Sequence, residues 1–67
     1  MNLLINGQER VLEGVQTLAD VVSHFGLNER IIIIEHNLNI VPRDLYAGTR
    51  VQAGDKIEIV HFVGGGF

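Results

Sequence analysis

Cysteine is absent from this chain of 67 residues. That excludes disulfides, thiolate metal sites and a thiol nucleophile together, so any sulfur chemistry needs sulfur supplied from elsewhere. Basic residues are few: five Lys and Arg stand against eight Asp and Glu, for a net charge of −3. The five are scattered, which leaves no positive stripe for nucleic acid or for an anionic lipid surface. No apolar run approaches the roughly 20 residues of a membrane span, and Met1 to Asn6 has neither a basic flank nor a cleavage site. The chain therefore reads as a cytoplasmic protein rather than a membrane or secreted one. Asp44, Glu35 and Glu58 form no recognisable acid/base pair and there is no Ser-His-Asp motif, so no catalytic residue is expected. His24, His36 and His61 lack metal-ligand spacing and read as solvated or packed. The terminal glycine run is not a phosphate loop, because the lysine and helix that such a loop needs do not follow it.

What is present suits one small domain. At 46% hydrophobic the core is thin but sufficient, since a chain of this size buries only about 60% of the surface it exposes when unfolded. Leu3 and Ile5 alternate with Asn2, Leu4 and Asn6, and Asn6-Gly7 is a strong hairpin signal, so a second strand is predicted from Gln8 to about Glu13. Thr17 with Asp20 resembles a capping box. Leu18, Val21, Val22 and Phe25 follow at the spacing of an amphipathic helix, which Gly26 stops and Leu27 folds back upon. The run Ile31 to Ile34 predicts a strand covered on both faces, central in its sheet. Asn37-Leu38-Asn39 reads as a turn and Ile40-Val41-Pro42 as a short edge strand. Leu45 and Tyr46 are expected to close the core, Thr49 to Gln52 to extend briefly, and Ala53-Gly54-Asp55 to turn into a last strand from Lys56 to about Phe62.

Period-two alternation in that last strand puts Ile57, Ile59 and His61 on one face and Lys56, Glu58, Val60 and Phe62 on the other. With Ile57 and Ile59 in the core, Val60 and Phe62 become an exposed apolar pair, a candidate docking patch that Leu4 of the first strand is expected to join. After Val63 come Gly64, Gly65 and Gly66, then Phe67. Three glycines neither pack nor hold a strand, so residues 64–67 are expected to be a mobile, extended tail on a domain spanning 1–63.

The β-β-α-β-β order, Thr17-Leu18-Ala19-Asp20, the stretch Asn37 to Arg43, the Gly54-Asp55 turn and above all Ile57 to Gly66 resemble the thiamine-biosynthesis sulfur carrier (ThiS) family over the whole chain. The resemblance implies an α+β, ubiquitin-like β-grasp fold: a mixed sheet of four to five strands packed on one main helix. It also implies that a ThiF-like enzyme uses ATP to adenylate the carboxylate of Gly66. A persulfide donor then converts it to a thiocarboxylate, and the sulfur passes to a ThiG-like thiazole synthase. Such a carrier binds no cofactor itself and is a co-substrate rather than an enzyme. Gly64 and Gly65 would thread a narrow channel, where a side chain would clash; Val63 to Gly66 reaches roughly 13–14 Å when extended. Phe67 departs from the pattern, and the expectation is that a peptidase removes it; the alternatives are a partner that accepts an aromatic end or a residue foreign to the natural chain. Related carriers for molybdopterin, cysteine or tRNA thiolation, and a β-grasp interaction module with an inert tail, are the other readings.

Overall fold

The structure is a computed structural model and describes residues 1–62. Five strands, β1 (Asn2–Ile5), β2 (Gln8–Val11), β3 (Ile32–His36), β4 (Asn39–Val41) and β5 (Lys56–His61), form one sheet in the order β2-β1-β5-β3-β4. The pairing of β1 with β5 is parallel and the other three are antiparallel. One helix, α1 (Leu18–His24), covers a single face of this sheet together with a 3-10 turn at Arg43–Gly48.

Local chemistry explains the ends of these elements. Asn6 and Gly7 both take positive φ, 50° and 80°, the mirror-image turn that matches the twist of two flanking strands. At the start of α1 the Thr17 hydroxyl accepts from the Asp20 N–H at 3.2 Å, while the Asp20 carboxylate accepts from the N–H groups of Thr17 and Gln16 at 3.1 and 2.8 Å. Those two backbone donors hold the Asp20 carboxyl below its ordinary range. At the other end Gly26, with φ 66°, lets the N–H of Leu27 reach the carbonyl of Val22 and its own N–H reach that of Ser23, which closes the helix and lays Leu27 on the core.

The core is entirely apolar apart from the phenol of Tyr46. Leu3, Leu18, Val21, Ile34 and Ile57 are the largest side chains sealed within it, and burying each stabilises the fold by about 1.5–3 kcal/mol relative to exposure.

Several expectations shift. The run of isoleucines does not begin the strand at Ile31, because the Asn28 side chain caps Arg30 and winds Glu29–Ile31 into a 3-10 turn that leaves Ile31 exposed. β3 is an interior strand, but the middle of the sheet belongs to β5. Ile32 and Ile34 are buried while Ile33 is only half-buried, so β3 is covered on one face rather than two. Leu45 is exposed: the 3-10 turn sends Tyr46 inward and its neighbour out. β2 stops at Val11 rather than Glu13, and Thr49 to Gln52 contributes an isolated bridge between Thr17 and Arg50, not a strand.

Candidate docking face and carrier end

β5 is clamped at both ends by side chains rather than by strand pairing alone. At its start Asp55 gathers donors: the Gln52 N–H at 2.8 Å, His36 Nε2 at 2.7 Å and the Asn37 side-chain amide at 3.2 Å. Asn37 in turn accepts from the Lys56 N–H at 2.9 Å and donates its own N–H to the Lys56 carbonyl at 2.8 Å. Partial burial pushes the Asp55 carboxyl up, but the bonds from His36, Gln52 and Asn37, with the charge of His36, outweigh it and hold the group below its ordinary value. Towards the other end β5 outruns β1. The Asn6 side chain then replaces the missing strand, accepting from the Ile59 N–H at 2.6 Å and donating to the Ile59 carbonyl at 3.2 Å. On the opposite edge the Phe62 N–H donates to the Ile31 carbonyl at 2.7 Å. These clamps set where the chain leaves the sheet.

Alternation along β5 follows the sequence reading. Ile57 and Ile59 are buried, and His61 shares their face at the rim, where it is exposed. Val60 on the outer face is 57% exposed and Phe62 half-buried. The register adds residues that sequence did not single out: Ile33 lies directly opposite Val60, and on the far edge Ile40, exposed, lies opposite Glu35. Directly opposed residues share a face, so Val60, Phe62 and Ile33 form one apolar group at the C-terminal end of β5. Leu4 does not join it. The parallel register seats Leu4 beside Lys56, four positions from Val60 and roughly 13 Å along the strand. Only the pairing of β3 with β5 could have revealed Ile33, and no local pattern encodes it.

Of the three histidines expected to be solvated or packed, His36 is neither, given its bond to Asp55. Among the described residues no three His, Cys, Asp or Glu side chains converge as a metal ion would require, and no helix is long and apolar enough to cross a membrane. Gly64, Gly65, Gly66 and Phe67 lie outside the described residues, as does the proposed boundary after Val63.

Comparison with known proteins agrees with this geometry. A thiazole synthase of Paramagnetospirillum magneticum is 44% identical over 66 residues, which are 98% of this chain; the chain spans only 20% of that relative's length. A sulfur carrier protein ThiS of Bacillus subtilis is 35% identical over 65 residues, with 96% of this chain and 98% of that protein covered. The crystal structure of the thiamine biosynthesis protein ThiS from Geobacter metallireducens superposes with a TM-score of 0.83 at 28% identity, covering 98% of this chain and 100% of that one. The fold is thus the ubiquitin-like β-grasp. The family model for ThiS matches residues 3–66, which runs from the first core leucine of β1 to the last glycine: the chain belongs to the ThiS family.

Proposed function

We propose that this chain is a sulfur carrier for thiazole formation in thiamine biosynthesis, loaded at Gly66. The observation that carries the reading is the family match running to Gly66, on a domain whose last strand ends in a clamped apolar group and is followed by glycines. In this reading a ThiF-like enzyme brings the Gly66 carboxylate against the α-phosphate of ATP. A carboxylate oxygen bonds to phosphorus and pyrophosphate leaves. The outer sulfur of a persulfide donor then displaces AMP to give an acyl disulfide, and a thiol cleaves its S–S bond, leaving as a disulfide with the donor's sulfur and releasing the thiocarboxylate. The product is a thiocarboxylate that a ThiG-like synthase consumes. A relative that bears the name thiazole synthase and contains a segment 44% identical to this chain supports that last partner.

The chain's own residues supply reach and recognition rather than catalysis. Glycine alone combines a thin, extended backbone with no side chain to clash in a narrow channel. Val60, Phe62 and Ile33 offer the apolar contact against which a partner can seat before the end is threaded. Activation needs a free Gly66 carboxylate, so Phe67 and anything beyond it must first be removed; misplacing a reacting group by about 1 Å can cost 10²-fold in rate.

The test is the intact mass of two chains, one ending at Gly66 and one at Phe67, after incubation with ATP, the adenylating enzyme and a sulfur source. Exchange of oxygen for sulfur on the chain ending at Gly66, and little on the other, is expected. Equal exchange on both would remove the processing step from the proposal. An unchanged mass on both would make the chain an interaction module with an inert tail.

A further inference from the structure

β2 overhangs the helix. Gln8 and Arg10 stand opposite the buried Ile5 and Leu3, hence on the core side of the sheet, yet both are exposed. Beneath them opens a groove of about 400 Å³ floored by Ile5, Ile59, Phe25 and Leu27 and rimmed by Arg10 and His61. The guanidinium carbon of Arg10 lies 5.9 Å from the centre of the Phe25 ring, and one of its nitrogens donates to Gln8 Oε1 at 3.2 Å. Among the described residues no carboxylate pairs with it, and no acidic residue lines the groove, although the chain as a whole carries −3.

The edge above this groove is open. Leu12 exchanges both backbone bonds with Met1, its N–H donating at 2.9 Å and its carbonyl accepting from the Met1 amine at 2.8 Å. By strict alternation the other ladder bonds of β2 fall on Arg10 and Gln8, and the N–H and C=O groups of Glu9 and Val11 face outward. A second copy of the chain is a poor occupant. Antiparallel self-pairing centred on Glu9 opposes two glutamates, centred on Arg10 it opposes two arginines, and centred on Val11 it brings Glu9 against Glu13; like charges directly opposite are unfavourable.

We propose that this edge and groove take up an extended segment of a different protein, adding a sixth strand beside β2. The segment carries an acidic side chain opposite Arg10 and, two residues away on the same face, an apolar side chain that enters the groove between Phe25 and Leu27. Backbone bonds to Glu9 and Val11 supply affinity, and the acidic-then-apolar spacing supplies selectivity. The proposal stands apart from the carrier reading, because the groove lies on the opposite side of the sheet from Val60. A partner seated there leaves the outer face and the tail free to engage another.

The test is a titration of the isotopically labelled full chain, followed by amide NMR signals, with blocked Thr-Asp-Thr-Leu-Thr and with the same peptide carrying Lys in place of Asp. Weak, saturable shifts at Glu9, Val11, Phe25 and Leu27 are expected, with the acidic peptide favoured by about two- to fivefold, the range for an exposed charge pair. Arg10→Glu should reverse that order and Arg10→Gln should erase it. Absence of binding by both peptides, equal binding of the two, shifts centred on Val60, or the same shifts from acetate alone would each overturn the proposal, the last by reducing the site to one for a bare anion.

Discussion

Ile59 and Val60 are neighbours in the chain and nearly alike in hydropathy, yet one is 7% exposed and the other 57%. They differ only in parity along β5. On the Ile59 side the core residues of the sheet lie under α1 and the 3-10 turn that carries Tyr46, with Gln8, Arg10 and His61 exposed at the rim; on the Val60 side no element among the described residues covers the sheet. The two faces show that an apolar side chain's role is set by the layer above it and not by its own chemistry. In the proposed reading, the buried part of the inner face contributes stability and the outer group at Val60 contributes association. Loss of side-chain atoms should therefore be felt as unfolding on one face and as weaker binding on the other.

The sharpest attempt to break that division is Ile57→Ala. Ile57 is fully buried near the start of β5, the middle strand of the sheet, and removing its outer carbons should cost about 2–5 kcal/mol in chemical denaturation, much of the stability of a domain this small. A loss under about 1 kcal/mol would mean that the inner face can collapse to fill the space. Next comes Asn6→Ala, which strips both partners from the Ile59 backbone. A loss of about 1–3 kcal/mol is expected, with faster hydrogen exchange at the Ile59 amide than at Ile57; uniform exchange along β5 would show that Asn6 is not the clamp.

Acid should act at the rims that join the two faces. Asp55 and Asp20 are both held below the ordinary carboxylate value, so their contribution is complete above about pH 4. It is lost as the pH falls through their own lower values, when the folded state must take up protons. The urea midpoint measured from pH 5 downward should fall accordingly, and less steeply in Asp55→Asn. A slope unchanged by that substitution would leave the loss to other carboxylates. The smallest effect on stability is expected for Val60→Ser, within about 0.5 kcal/mol of the parent, while affinity for the adenylating enzyme declines. Phe62→Ala should behave similarly and Ile59→Ala in the opposite sense; a destabilised Val60 variant with unchanged affinity would put that face in the core.

What was legible in the sequence was local. Thr17 with Asp20, the Asn6-Gly7 hairpin and the Gly26-Leu27 stop are each written within a few residues, where the bonds that make them also lie. Ile31 misled because four isoleucines look alike until Asn28 bends the first away. The position of β3, the distance of Leu4 from Val60 and the addition of Ile33 to the outer group all depend on register between strands far apart in the chain. The bond between His36 and Asp55 spans 19 residues, and neither residue's neighbours announce the other. The glycines after Val63 lie outside the described residues, and the expectation of a mobile tail there rests on composition alone.

The parallel pairing of β1 with β5 has a consequence in time. The first strand cannot acquire its inner neighbour until the last has been made, and the contact between Asn6 and Ile59 closes a loop of 53 residues. Such distant pairing slows folding, since the entropy of closure is spent before the contact rewards it. On a ribosome the hairpin of β1 and β2 and the helix can form early, while β3 and β4 wait with their facing edges open. The sheet and the apolar group beside Val60 are then assembled together by the arrival of one six-residue strand. A truncated product that lacks β5 has neither Val60 nor the partner of the Asn6 clamp, so in the proposed reading a partner that seats on this group engages only chains synthesised past β5.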